Sequence, residues 1–155
     1  MGVEERLADL GLELPVPAAP VAAYVPVVLT GSLAFVSGQV PLEEGTPLVR
    51  GHVGAEVSVE DGRAAARRCA LQALAALKAK LGSLDRVRRI VKLSVFVASA
   101  PGFTEQPAVA NGASELLTEV FGESGRHART AVAVPDLPLG APVEVDVIAE
   151  VGPPH

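Results

Sequence analysis

The chain has 155 residues, of which 49% are hydrophobic, 3% aromatic and 20% charged, with a formal net charge of −5 at pH 7. This length is typical of one domain with a real core, and the hydrophobic content excludes intrinsic disorder. The acidic balance argues against a general nucleic-acid binder, which needs basic residues to release counterions from phosphates. A lone cysteine, Cys69, excludes an internal disulfide framework and fits a reducing compartment.

The sequence predicts an N-terminal arm over residues 1–22 and a single domain over residues 23–155. A short helix is possible at Val3–Leu10, and a Pro- and Ala-rich stretch follows it. The start is acidic and too weakly apolar for a signal peptide, and it lacks the Ser or Thr of a myristoylation signal. No apolar run approaches the ~20 residues of a membrane span. We therefore expect a cytoplasmic protein.

The first half of the domain predicts a hairpin, a loop and a helix. Tyr24–Val40 contains two β-rich runs around Thr-Gly-Ser, a hairpin signal, and 41–57 predicts a polar loop with glycines. Ser58 with Asp61 resembles a capping box, and Gly82 is a helix stop. Between them the apolar residues of one helical face recur with helical spacing: Ala70, Ala73, Leu74, Leu77 and Leu81.

The second half predicts a strand, a helix and two further strands. Arg89–Ser99 is the strand, with one side formed by Val91, Leu93, Val95 and Val97. A second helical stripe ends at Gly122 and comprises Val109, Gly112, Ala113, Leu116, Leu117 and Val120. The strands Ala128–Val134 and Val143–Val151 follow. Their proline-rich linker is either a broad hairpin or a crossover loop.

This order of elements predicts an α+β domain in which two helices cover one face of a mixed β-sheet. The opposite face is rich in valine and alanine, so it also needs a cover. A neighbouring subunit could supply that cover.

Several kinds of chemistry are absent from the sequence. It has no glycine-rich phosphate loop, dinucleotide fingerprint, paired-cysteine site or His-Glu-x-x-His site. His52, His127 and His155 are too scattered to indicate metal ligation, and we expect His127 to be a solvated loop residue. The basic segment Asp85–Lys92 is interpreted as a solvated loop entering a strand. We expect no metal and no cofactor.

The remaining candidates are Arg129 and the last strand. Strict alternation in Val143–Val147 puts Glu144 and Asp146 on one face, ~7 Å apart by strand geometry. They could be charges that protect an exposed sheet from aggregation. Alternatively, a guanidinium that binds a substrate carboxylate and a carboxylate that handles water could share one cleft. The residues by themselves leave both interpretations open.

The order of several motifs resembles one known family. "YVP", "FVSGQVP", "IVKLSVFV" and "ARTAVAV" followed by "LPLGAPVEVDVIAEV" are similar to the RidA/YjgF family, also called L-PSP endoribonuclease-like, over about Tyr24 to Val151. The resemblance implies a chorismate-mutase-like fold, a mixed sheet with two helices packed on one face. It also implies a homotrimer whose sheets form a central barrel, active sites between subunits, and neither metal nor organic cofactor.

The activity that the resemblance implies is hydrolysis of reactive enamines and imines, such as 2-aminoacrylate, to a 2-keto acid and ammonia. Arg129 matches the family arginine that grips the substrate carboxylate. Glu144 matches the glutamate that orients or activates water. The positions that match the family's cleft are Tyr24, Ser37, Gly38, Gln39, Asn111 and Thr130.

Three departures from the family pattern predict a divergent subgroup with its own substrate preference. Ala131 stands where archetypal members have a reactive cysteine, and Thr130 replaces a serine. Gly-Arg-His at 125–127 replaces a Phe-Pro type of sequence before the arginine. Two other functions stay open. One is binding of a small carboxylate metabolite, such as a keto acid, without turnover, and the other is an L-PSP-type endoribonuclease or translation inhibitor.

Overall fold

A computed structural model describes residues 1–17, 19–20 and 22–154. Its helices and strands follow in chain order as helix α1 (Val3–Asp9), strands β1 (Val27–Thr30), β2 (Leu33–Gln39), β3 (Leu42–Glu43) and β4 (Thr46–Pro47), helix α2 (Val59–Leu81), strand β5 (Val87–Ala98), helix α3 (Gln106–Phe121), and strands β6 (Ala128–Val134) and β7 (Val143–Val151). Short 3-10 turns lie at Leu84–Arg86, Gly122–Gly125 and Pro138–Gly140.

The main sheet has five strands in the order β1-β2-β7-β5-β6. Strands β5 and β6 are parallel and are joined through α3, whereas the other neighbours are antiparallel. Strand β7 inserts between β2 and β5 instead of pairing with β6, so the linker before it is a crossover loop. The predicted mixed sheet with two helices on one face is confirmed.

Both predicted helical stripes form the core against the sheet. Every residue of the two stripes is buried, together with the valines of β7. Helix α2 begins after Ser58, whose Oγ accepts a hydrogen bond of 3.1 Å from the backbone N–H of Asp61. It ends at Gly82, whose φ of 85° lies in the left-handed region that glycine adopts without strain. The two helices thus seal one face of the sheet.

Two predictions about the middle of the chain are wrong. A β-bulge between Ile90 and Lys92 shifts the side-chain alternation, so Ile90 is fully buried and Val91 is only partly buried. The segment 41–57 is more than a polar loop, because it contains the β3–β4 hairpin and two fully buried valines. One of these, Val53, donates its N–H to the Ala98 carbonyl at 2.8 Å.

The second face of the sheet has no cover within the described residues. Val28, Phe35 and Val132 expose 50%, 39% and 40% of their surface there. Val28 and Phe35 pair in register, whereas Val132 lies three strands away on β6. Adjacent large apolar side chains that stay exposed on a sheet face indicate a surface that meets another molecule. This agrees with the expectation that a neighbouring subunit covers this face.

Helix α1 docks on the domain at the outer side of α2 and α3. Leu7 is buried in the core. The Glu4 carboxylate accepts the Leu84 N–H at 3.0 Å and pairs with Lys78 at 2.9 Å. These contacts fix the beginning of the predicted arm on the domain.

Candidate functional site

Helix α3 holds the guanidinium of Arg129 by one of its nitrogens. Arg129 pairs in register with Leu93, so it lies on the helix-covered face of the sheet. Its Nη1 donates to Asn111 Oδ1 at 2.8 Å and to Ser114 Oγ at 3.2 Å. These bonds use both hydrogens of Nη1. The N–H groups of Nε and Nη2 have no hydrogen-bond partner in the described residues, and their planar fork matches the two oxygens of a carboxylate.

His127 extends this network and is not the solvated residue that we predicted. It is half-buried, and its Nδ1 lies 2.6 Å from the Gly125 carbonyl, which can only accept a hydrogen bond. Nδ1 therefore carries the hydrogen, and Nε2 accepts the Ser114 hydroxyl at 2.9 Å. Burial, and to a smaller extent the charge of Arg129, lowers the pKa of His127, against the effect of the bond to Gly125. The lowered pKa favours the neutral imidazole.

Glu144 occupies the opposite face of the sheet. Its position on β7 alternates with the buried valines, and it shares the open face with Asp146, as predicted. Partial burial, followed by the charge of Asp146, raises the pKa of the Glu144 carboxyl. Gly38 lies beside it at a bulge of β2, where a side chain would collide with the carboxylate. Glycine at this position therefore leaves room for the carboxylate and for anything that approaches it.

A cavity of about 570 Å³ adjoins this carboxylate. Its polar lining includes Tyr24, Gln39 and Glu144, and its apolar lining comprises Ala19, Pro20, Pro26, Val40, Leu42, Pro138 and Leu139. The Ser37 hydroxyl does not reach into the cavity, because it donates to the Val25 carbonyl at 2.7 Å. Ser37 thus ties the segment next to Tyr24 to β2.

The predicted site residues form two groups that lie on opposite faces of the sheet. Arg129 is with Asn111, whereas Glu144 is with Tyr24, Gly38 and Gln39. Strand β5 lies between β6 and β7, so the Cα atoms of Arg129 and Glu144 are roughly 14 Å apart by strand geometry. One chain therefore does not bring the guanidinium and the carboxylate into one cleft.

Thr130 belongs to neither group. It follows Arg129 in β6, so its side chain lies on the open face, and its register partner is Ser94. Ser94 in turn pairs with Asp146 of β7. Thr130 is therefore on the same face as Glu144, two strands away.

Ser114 and His127 are the site residues that sequence reasoning missed. Asn111 and Ser114 are three residues apart on one face of α3, and His127, which directly precedes β6, is two residues before Arg129. This matched spacing across a helix and the strand that follows it was an available signal.

Neither the cysteine nor a metal cluster adds to the site. Cys69 is fully buried, its Sγ lies 3.7 Å from the Val143 carbonyl, and burial raises the pKa of its thiol. Such a thiol is an inert core residue. The described residues contain no group of three or more His, Cys, Asp or Glu that could hold a metal ion. They also contain no helix that is both long and apolar enough to span a membrane.

Comparison with known proteins identifies the family. A family model described as "YjgF/chorismate mutase-like, putative endoribonuclease" matches residues 4–151. The chain belongs to this family. Protein TCP17 of Trypanosoma cruzi is 53% identical over 149 residues, which cover 96% of this chain and 93% of that protein.

Two solved structures share nearly the whole fold. The protein Atu1372 from Agrobacterium tumefaciens, of unknown function, matches with a TM-score of 0.90 and 49% identity, covering 97% of this chain and 92% of that one. An endoribonuclease, so named provisionally, from Shewanella oneidensis MR-1 matches with a TM-score of 0.94 and 39% identity, covering 97% and 100%. The chorismate-mutase-like fold is thereby confirmed.

Proposed function

We propose that the protein hydrolyses small carboxylate-bearing imines and enamines of the 2-aminoacrylate type to a 2-keto acid and ammonia. The observation that carries this proposal is the tethered guanidinium of Arg129, which leaves one edge free for a carboxylate. A half-buried carboxylate with a raised pKa, Glu144, supplies the second group that the reaction needs.

The substrate carboxylate pairs with the free Nε and Nη2 edge of Arg129. Such a charge-assisted pair fixes both the position and the plane of the substrate. Asn111 and Ser114 hold the guanidinium in place before the substrate arrives, so little side-chain freedom is lost on binding. Holding the reacting atoms in position can lower the activation free energy by up to ~7–11 kcal/mol.

Glu144 acts on the attacking water. An enamine first takes up a proton from solvent at its methylene carbon and becomes the imine. In its ionised form Glu144 accepts a proton while the water oxygen adds to the imine carbon. Glu144 then returns this proton to the nitrogen of the carbinolamine, the C–N bond breaks with loss of ammonia, and the hydroxyl loses its proton to solvent as the carbonyl of the keto acid forms. A general base in this position contributes ~10²–10⁴-fold to the rate. Gly38 gives the water and substrate access to the carboxylate.

The two groups meet when a second copy of the chain contributes the other half of the site. The exposed apolar side chains on the open face of the sheet support such an association, since Phe35 and Val132 are left uncovered there. A homotrimer is the assembly that the family resemblance implies. Arg129 and Asn111 then come from one subunit, and Glu144, Tyr24 and Gly38 from its neighbour.

The test measures ammonia and keto-acid release from 2-aminoacrylate generated enzymatically in the assay. Arg129→Ala and Glu144→Gln should lose the acceleration over the spontaneous reaction. Matched controls are Arg67→Ala on the outer surface of α2 and Glu150→Gln at the far end of β7, and both should keep it. Full activity in Arg129→Ala, or no acceleration by the wild type, would overturn the proposal.

Calorimetry with keto acids distinguishes turnover from binding alone. A protein that only binds carboxylate metabolites needs Arg129 but not Glu144. If wild type and Glu144→Gln bind a keto acid equally and neither releases ammonia, the binding function replaces the enzymatic one.

A further inference from the structure

We propose that Ser114 is a nucleophile for acyl transfer and that His127 is its general base. This is a second activity of the Arg129 side of the sheet, and it does not depend on imine hydrolysis. The hydroxyl and Nε2 of the imidazole are 2.9 Å apart, and the Gly125 carbonyl fixes Nδ1 at 2.6 Å. A hydroxyl bonded to a base that a third group orients is the arrangement shared by serine hydrolases of unrelated folds.

The Ser114 hydroxyl behaves differently from its neighbours. Thr118, one turn later on α3, donates its hydroxyl to the Ser114 carbonyl at 3.0 Å, which is the ordinary local bond of a helical threonine. Ser124 donates to the Phe121 carbonyl at 2.9 Å. Within the described residues, Ser114 alone has its hydroxyl bonded to a histidine nitrogen. Its hydrogen is therefore directed at a base instead of a backbone carbonyl.

The environment keeps this base in its reactive form. The hydrogen on Nδ1 leaves the lone pair of Nε2 facing the hydroxyl. Burial and the nearby guanidinium disfavour the protonated imidazole and thereby lower the pKa of His127. The charged groups that line the same cavity are Arg129, whose Nη1 lies 3.2 Å from Ser114 Oγ, and Arg126.

Arg129 also supplies the electrophilic assistance that acyl transfer requires. A carbonyl that Ser114 attacks lies beside the same guanidinium, whose remaining N–H groups can bind the oxyanion as it forms. The way in is open, since Ser114, His127 and Arg129 line a surface cavity of about 220 Å³ together with Thr118 and Arg126. This volume suits a small acyl group, so the substrate class is small esters or similarly activated acyl compounds.

The chemical step balances within these residues. Ser114 Oγ forms a bond to the acyl carbon while its proton passes to His127 Nε2. The C–O bond to the leaving alcohol then breaks, and His127 returns the proton to the departing oxygen. Water, deprotonated by the same imidazole, hydrolyses the acyl-serine and regenerates the hydroxyl.

The experiment uses the full chain and an alkyl fluorophosphonate, which phosphonylates base-activated serines with loss of fluoride. Intact mass and peptide mapping should find one adduct on Ser114 of the wild type. His127→Gln should slow its formation by about 10²-fold or more, because the base is removed. Ser124→Ala, a nearby hydroxyl that donates to a carbonyl, should label at the wild-type rate. Ser114→Ala should not label.

Three results would overturn the proposal: no adduct on the wild type, an adduct on another residue, or equal labelling rates for wild type and His127→Gln. Peptide mapping of the wild type decides the first two even if a variant does not fold. Acetate, which occupies the free edge of Arg129, should slow the labelling of Ser114. Because none of these measurements involves an imine, the outcome is independent of the deaminase assay.

Discussion

The two faces of the sheet prepare their functional groups in different ways. On the helix-covered face, hydrogen bonds of 2.8–3.2 Å link Arg129, Asn111, Ser114 and His127, and two of them hold Nη1 of the guanidinium. On the open face, Glu144 is half-buried next to a second carboxylate and has no hydrogen-bond partner among the described residues. One half of the site is therefore preorganised, and the other half is completed only when something binds to it.

The largest expected effect is on the rate of imine hydrolysis when Glu144, on the open face, is replaced. Glu144→Gln keeps the size of the side chain but cannot accept a proton, so kcat for imine hydrolysis should fall ~10²–10⁴-fold. KM should change little, because the substrate carboxylate binds to Arg129. Steady-state kinetics of keto-acid release measures both parameters, with Glu150→Gln as the control on the same strand. A fall in kcat/KM caused only by KM would mean that Glu144 is a binding residue.

The second effect concerns the preorganised half. Arg129→Lys keeps the positive charge. A lysine ammonium cannot bond to Asn111 and Ser114 and also form a bidentate pair with the substrate carboxylate, so kcat/KM should fall by roughly 10²-fold. Circular dichroism should show an intact fold, because Arg129 is only partly buried. Wild-type kinetics in this variant would show that a simple positive charge is enough.

Loss of one tether should have a smaller effect. Asn111→Ala removes the 2.8 Å bond to Nη1 and leaves the bond to Ser114, so KM should rise by roughly 10-fold with kcat little changed. Isothermal titration with a keto acid provides the same comparison without turnover. Equal affinities of wild type and Asn111→Ala would contradict preorganisation by α3.

The smallest expected effect is on thermal stability. Here Glu144→Gln should cause a slight gain, whereas the substitutions above lower activity. The native pKa of Glu144 is raised, so the folded state binds more protons than the unfolded state above the ordinary pKa. The wild type therefore loses stability as the pH rises through the native pKa, and Glu144→Gln does not. Thermal melts should give Glu144→Gln an equal or slightly higher Tm at pH 7 and no such advantage at pH 4. A lower Tm of Glu144→Gln at pH 7 would show that the carboxylate stabilises the fold.

Much of the fold was predictable because its signals are periodic. The stripes of α2 and α3 and the alternation in β7 decide which residues are buried, and the structure confirms them. The bulge at Ile90 was not predictable, because a single inserted residue reverses the alternation without a sequence signal of its own. Val53 was also missed, because its burial depends on a bond to Ala98 that is 45 residues away in the chain.

The candidate site was predictable in its residues but not in its geometry. Arg129 and Glu144 were identified by their types and positions, yet the strand order that separates them was not available from the sequence. The Ser114–His127 bond joins a residue of α3 to the loop residue that directly precedes β6, and it forms only when the helix and the strand pack together. Sequence motifs therefore identify the functional side chains, whereas the tertiary structure determines which of them lie close together.

The central claim is that each site takes its arginine from one chain and its glutamate from another. The most direct test mixes inactive Arg129→Ala and Glu144→Gln proteins, dissociates them and lets them reassociate. After random reassociation of an equimolar mixture, about a quarter of all sites receive an intact arginine and an intact glutamate from neighbouring chains, so about a quarter of the wild-type activity should return. Mixtures that stay inactive after demonstrated subunit exchange, while wild type treated in the same way recovers, would contradict a site shared between chains.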